Sequence, residues 1–126
     1  MVESKSCFSY FLLTDASYLW NPCIYRSSAR YIGALVGDVH NVLINGGIYG
    51  YPGTNDNPDG KLRLLYESNP MGMIMEQAGG AASTGTGRIL DVKPTEVHMR
   101  IPTFLGSTED VFELDQFHQY YSEEEE

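Results

Sequence analysis

Between Lys61 and Glu67 the chain sets a Lys, an Arg and a Glu into an otherwise apolar run, Lys61-Leu62-Arg63-Leu64-Leu65-Tyr66-Glu67. Two permanent cations beside a carboxylate suit an anionic substrate held together with a metal ion. Arg offers phosphate a planar fork of N–H donors and Lys a compact point charge. A hard divalent cation takes oxygen ligands, and Glu67 can be one. The same trio is also the ordinary make-up of a solvated edge with an ion pair, so the neighbouring sequence must decide between the two readings.

Other chemistry-bearing residues read as structural. His40 falls on a helical pattern with Val36 and Val39 and is expected to be hydrogen-bonded and partly buried. His98 lies in a short connector after Pro94-Thr95, and His118 is expected on the exposed side of the last helix. Asp56-Asn57-Pro58-Asp59-Gly60 puts two carboxylates three apart in the manner of a metal motif. Pro-Asp-Gly is a strong turn signal, however, and neither Asp is taken as a ligand. Gly79-Gly80 is read as a helix end rather than a phosphate cradle. Cys7 and Cys23 give neither a zinc spacing nor a disulfide framework and are expected as reduced thiols.

The elements that must position these groups alternate. A short strand is expected over Tyr31 to Leu35, followed by a helix in which Leu35, Val39, Val42 and Leu43 recur at helical spacing until Gly46-Gly47. Ile48 to Tyr51 reads as a strand ended by Pro52, and Gly53 to Gly60 as a loop. Asn69 and Pro70 read as the cap and first residue of a helix whose apolar face is Met71, Ile74, Met75 and Ala78. Ala81 to Thr84, Arg88 to Val92 and Ile101 to Leu105 are expected strands. Ser107 and Asp110 form a capping pattern before a last helix carrying Val111, Leu114 and Phe117. Strands interleaved with helices give an α/β fold, a layered mixed β-sheet flanked by helices.

Three blocks carry a family resemblance. Ser28 to Pro52 (SARYIGALVGDVHNVLINGGIYGYP), Lys61 to Gly80 (KLRLLYESNPMGMIMEQAGG) and Gly85 to Ser107 (GTGRILDVKPTEVHMRIPTFLGS) together resemble the C-terminal half of class I fructose-1,6-bisphosphatase, with wording closer to the bacterial and plastid branch. The resemblance implies the C-terminal domain of the sugar-phosphatase fold and hydrolysis of the 1-phosphate of fructose 1,6-bisphosphate, in gluconeogenesis or the Calvin cycle. Sedoheptulose 1,7-bisphosphatase is the nearest enzyme alternative, and a non-catalytic sugar-phosphate-binding or assembly domain is the alternative of another class. By the same resemblance Arg30 and Tyr31 lie at the 6-phosphate pocket, with Arg30 reaching across from a neighbouring subunit. Tyr51 gives the same phosphate a phenol, Lys61 contacts the sugar and its 6-phosphate, Arg63 stands near the 1-phosphate with a catalytic role, and Glu67 ligates a catalytic metal. The implied cofactor is Mg²⁺, with Mn²⁺ as the alternative, and the implied assembly is a homo-oligomer, a tetramer in the family. The chain departs from the family where it has His40-Asn41-Val42 for His-Arg-Thr and Asn45-Gly46-Gly47 for Tyr-Gly-Gly. Ahead of Arg30, only Thr14-Asp15 stands near the place of the Asn-Glu motif of the 6-phosphate pocket.

Length and composition bound the reading. The chain's 126 residues, 42% hydrophobic and 20% charged, suffice for one globular domain and fall short of a two-domain bisphosphatase subunit. Residues 28–121 are read as that domain and 122–126 as an acidic tail. Residues 1–27 match the family worst, as an artefactual start read through an intron would. The net charge of −9, with no basic stripe, excludes nucleic acid as a partner. Phe8 to Leu13 is too short to span a bilayer, and no signal-peptide pattern surrounds it. A cytoplasmic location is expected, with the plastid as alternative. The chain by itself is expected to be inactive, because the other metal carboxylates belong to the half it lacks.

Overall fold

The computed structural model of the chain describes residues 29–124. The expectations for residues 1–27, with Cys7, Cys23, Phe8–Leu13 and Thr14-Asp15, lie outside the described residues. In chain order the elements are α1 (Leu35–Asn45), β1 (Ile48–Tyr51), a π-helical turn (Leu64–Ser68), α2 (Asn69–Gln77), β2 (Ala81–Ser83), a 3₁₀ turn (Ile89–Asp91), β3 (Thr103–Gly106) and α3 (Thr108–Glu124). None of the described helices is long and apolar enough to cross a membrane.

The strands form one sheet in the order β1-β3-β2. Both pairings are antiparallel, with Tyr49 opposite Leu105 and Leu105 opposite Ala82. Side chains alternate across a strand, so each strand feeds two layers. On one face Tyr49, Ala82 and Leu105 meet Val39 and Val42 of α1, Met75 of α2, and Leu62, Leu64, Ile89 and Ile101 in a single core. On the other face Phe104 packs with Leu114 of α3 and with Ile48. The result is the expected α/β layering, with α1 and α2 on one side of the sheet and α3 on the other. Parallel pairing, which a mixed sheet would include, does not occur among the described strands.

Several local expectations are corrected by packing. Residues 31–34 form no strand; they are an exposed arm leading into α1. Asn69 is not a cap, because the π-helical turn runs straight into α2 and the preceding residue, Ser68, is already helical. The apolar stripe of α2 runs through Met71, Gly72 and Met75, since Gly72 lets the helix settle onto Ala82 and so turns Ile74 and Ala78 outward. Arg88 to Val92 winds into a 3₁₀ turn instead of a strand, with Arg88 bonded to Glu76 at 2.9 and 2.7 Å and to Asp91 at 2.7 Å. On α3, Val111 and Leu114 are buried but Phe117 is 45% exposed. Ser107 Oγ accepts the Gly47 N–H at 3.1 Å and so ties the start of α3 to the loop before β1.

Gly106 is where the sheet allows no side chain. A Cβ there would overlap the Gly47 carbonyl oxygen and lie 2.8 Å from the Ile48 Cα. Backbone cannot step aside as a flexible side chain can, so overpacking there carries at least the usual penalty of about 1–3 kcal/mol. Gly106→Ala is expected to lower the urea midpoint by an amount equivalent to about 3 kcal/mol or to prevent folding, while Gly87→Ala, in open space, stays within about 0.5 kcal/mol. Equal midpoints for the two variants would show that β1 and β3 are not packed as described.

Candidate functional site

The Lys61–Leu64 segment is extended and is held by its backbone. The Leu62 carbonyl accepts the Ile101 N–H at 3.0 Å and the Leu64 N–H donates to Met99 at 2.8 Å, which sets Arg63 opposite Arg100 in an antiparallel bridge. Alternation then buries Leu62 and Leu64 and turns Lys61 and Arg63 to the other side.

Beyond Leu64 the backbone widens into the π-helical turn. The Arg63 carbonyl accepts N–H bonds from Ser68 at 2.9 Å and from Glu67 at 3.2 Å. This turn folds the Glu67 carboxylate back over Arg63, where Oε2 accepts the Arg63 backbone N–H at 2.8 Å and lies 3.6 Å from the guanidinium Nη1. Both side chains are partly exposed, so water screens the pair to about 0.3–1 kcal/mol and its effect is mainly geometric. Beneath the turn, the buried hydroxyls of Ser68 and Thr103 share a 2.7 Å hydrogen bond that fixes it to β3. Alongside, the Arg63 guanidinium lies 6.0 Å from the centroid of the Tyr66 ring, and the Tyr66 hydroxyl is 3.0 Å from His98 Nδ1.

Two phenols lie on β1, on the core side of the sheet. Tyr49 and Tyr51, two apart on β1, project from one face of the sheet, and Tyr51 packs on the core that contains Tyr49. Burial raises the Tyr49 phenol from 10.0 to about 12, and the charges of Asp38, Tyr31, Tyr51 and Glu67 add to the rise. Residues of α1, the arm, β1 and the π-helical turn thus all add to this rise, after burial.

Of the residues singled out in the sequence, Tyr31, Tyr51 and Glu67 each add to the rise at the Tyr49 phenol, and Arg63 pairs with Glu67. Arg30 and Lys61 are exposed and form no ion pair among the described residues. His40 is exposed rather than partly buried, because it lies on the side of α1 away from the sheet. His118 is not an exposed residue: its ring packs on Phe104 at 5.7 Å and its Nε2 is buried. Asp56 and Asp59 sit on exposed turns closed by the Thr54–Asn57 and Asn57–Gly60 backbone bonds. Sequence reasoning missed Asp38 and Tyr49. The period-two match of Tyr49 with Tyr51 was the available signal for the second; nothing local marked the first.

Among the described residues no three His, Cys, Asp or Glu side chains come together. Glu67 has Oε1 without a described hydrogen bond, and so offers one ligand. A hard divalent ion takes roughly six oxygens, so the residues described fit one position of such a site and no more.

Comparison with known proteins identifies the family. Residues 8–119 match the family model described as fructose-1-6-bisphosphatase, C-terminal domain. The chain is 58% identical over 90 residues to the chloroplastic fructose-1,6-bisphosphatase 1 of Arabidopsis thaliana, a match covering 71% of this chain and 22% of that protein. It is 56% identical over 92 residues to the class 1 fructose-1,6-bisphosphatase of Chlorobium chlorochromatii, covering 73% and 28%. To the class 1 enzyme of Synechocystis it is 56% identical over 90 residues, covering 71% and 26%. The match therefore spans between a fifth and a third of the length of these relatives.

The shifted phenol makes a prediction about alkaline stability. With a folded value of about 12 against 10.0, folded Tyr49 holds its proton where the unfolded chain has released it. Its contribution is complete below pH 10 and is lost as pH rises toward 12. Tyr49→Phe removes that titration, so the stability difference between variant and wild type, measured by urea unfolding, should shift in favour of the variant across this window. A difference that stays constant from neutral pH upward would mean that Tyr49 is not buried among these groups.

Proposed function

The chain belongs to the fructose-1,6-bisphosphatase family, matching its C-terminal domain, and from that premise we propose that it carries the sugar-phosphate-binding part of an enzyme that hydrolyses the 1-phosphate of fructose 1,6-bisphosphate. The observation that supports this most is the joint placement of Arg63 and Glu67, cation and carboxylate 3.6 Å apart across the start of the π-helical turn. Arg63 neutralises charge that grows on the 1-phosphate as the ester bond breaks. Lys61, two residues earlier on the same side of the extended segment, contacts the sugar and its 6-phosphate. Tyr31 and Tyr51 donate directional O–H bonds to the 6-phosphate. Tyr49 extends this row of phenols, and its raised value keeps it a donor.

Glu67 gives one oxygen to a divalent cation, with Mg²⁺ preferred over Mn²⁺. That ion, when bound, polarises the phosphoryl oxygens. The other ligands come from outside the described residues. Arg30, exposed at the end of the arm, serves the site of a second copy. Tyr31, Ile32 and Val36 beside it are 71%, 64% and 66% exposed, an apolar patch suited to contact between copies, which supports a homo-oligomer and, by family likeness, a tetramer. Fructose bisphosphate is favoured over sedoheptulose bisphosphate because the relatives matched carry that substrate in their names. We place the protein in the cytoplasm, with the plastid as alternative.

Phosphate monoester hydrolysis needs accelerations of up to about 10²¹-fold, and one metal ligand leaves most of that barrier standing. The purified 126-residue chain with Mg²⁺ should therefore release no phosphate from fructose 1,6-bisphosphate at a useful rate. Joined to the N-terminal region of the Synechocystis relative it should turn over. In that assembled form Glu67→Gln should remove activity, Lys61→Ala should raise KM, and Arg63→Ala should lower kcat more than it raises KM. Robust turnover by the isolated chain, abolished by Glu67→Gln, would contradict the division of the site. Unchanged kinetics in all three variants would refute the roles given to these residues.

A further inference from the structure

Asp38 is a buried carboxylate, 6% exposed, in the first turn of α1. Buried carboxylates need partners, and a carboxylate near a helix N-terminus commonly caps its own helix. Asp38 instead reaches backward beyond the helix. Its Oδ1 accepts the backbone N–H of Ile32 at 2.8 Å, while its own N–H donates to the Ala34 carbonyl at 3.0 Å. Ala34 stands at the cap position with no side-chain bond to offer, so the carboxylate of Asp38 does the anchoring from one turn inside. Between the two bonds Gly33 turns the chain at φ +80°, a conformation that a residue with a Cβ adopts only with strain. Ile32, Gly33, Ala34 and Asp38 thus form a closed clasp.

Arg30 and Tyr31 project directly ahead of that clasp. Both are exposed, and no backbone hydrogen bond holds either among the described residues. What fixes their direction is the bond to the next residue. We propose that Asp38 is a positioning residue, which holds the arm so that Tyr31 meets the phosphate of its own site and Arg30 that of a second copy without a search of arm conformations. The inference rests on the binding roles proposed above for those two residues. A preorganised arm spares the ordering of loose backbone when the ligand arrives. Asp38 touches neither ligand nor metal in this account and acts through the Ile32 N–H alone. Its charge also contributes to the rise at the Tyr49 phenol, which lies on the same side of the fold.

The test uses the 126-residue chain, with hydrogen exchange read residue by residue and fructose 6-phosphate as the probe ligand. In the wild type the Ile32 amide should exchange at least about tenfold more slowly than that of Tyr31, as befits a hydrogen bond to a charged group. Asp38→Ala should abolish that protection while leaving Leu105 of β3 protected, and Asp38→Asn, which keeps the acceptor oxygen, should restore it. Asp38→Ala and Arg30→Ala should each weaken fructose 6-phosphate binding, by about tenfold or more, and the double variant should be no weaker than Asp38→Ala alone, because Asp38 acts through the arm that presents Arg30. An Ile32 amide in the wild type that exchanges as fast as Tyr31 overturns the clasp without recourse to any variant. Additive losses in the double variant overturn the positioning role. A wild-type chain that does not bind the probe counts against the proposed function, and the exchange at Ile32 then decides the clasp separately.

Discussion

The short antiparallel bridge between Arg63 and Arg100 is the constraint on which the candidate site depends. Two backbone hydrogen bonds, Leu64 to Met99 and Ile101 to Leu62, force Lys61–Leu64 to be extended. Extension forces alternation, and the burial of Leu62 and Leu64 in the core then decides which way the cations face. Were this segment helical, Lys61 and Arg63 would lie about 200° apart and could not serve one ligand. The π-helical turn follows from the same restraint: leaving an extended segment that is pinned on one side, the chain closes a wide turn on the Arg63 carbonyl. π-helical turns are uncommon and often found at functional sites. Here the turn returns Glu67 to Arg63, and the buried Ser68–Thr103 bond holds it on the central strand.

That central strand links the halves of the fold. β3 gives Leu105 to the core under α1 and α2, and Phe104 to the layer under α3. It also receives the close backbone approach of Gly47 at Gly106. Because β1 is registered on β3 by Tyr49 opposite Leu105 and Tyr51 opposite Thr103, the phenols of β1 and the hydroxyl that anchors the π-helical turn come off adjacent strands on the same face. A register shift of one residue would send both tyrosines toward α3. The chemistry of the site is therefore tied to the same contacts that stabilise the domain.

Much of this was legible in the sequence, for identifiable reasons. The α1 helix and the Ile48–Tyr51 strand were readable because their apolar spacing agrees with their burial. Family likeness supplied Tyr31, Tyr51, Arg63 and Glu67 as site residues, and of these the fold pairs Arg63 with Glu67. What escaped was set by tertiary contacts. The π-helical turn has no propensity signature distinct from an α-helix, so Asn69-Pro70 looked like a helix start. Arg88–Val92 has the composition of a strand but meets β2 only at the Ser83–Arg88 bridge, and the bonds of Arg88 to Glu76 and Asp91 favour a turn beyond it. Ile74 is apolar and faces out, because Gly72 rather than Ile74 meets the sheet. Asp38 gave no signal, since an Asp in the first turn of a helix is ordinary and its bond to Ile32 depends on the turn at Gly33.

The central claim is the proposal that Tyr51, Arg63 and Glu67 read a sugar phosphate. Amide chemical-shift mapping of the chain during titration with fructose 6-phosphate, and in parallel with unphosphorylated fructose, tests it most directly. The account predicts saturable shifts at Tyr49, Tyr51, Arg63 and Glu67 with the phosphate ester and none with the free sugar. Shifts centred on Ser83, Gly85 and Asp115 beneath α3, or equal responses to both sugars, would contradict it.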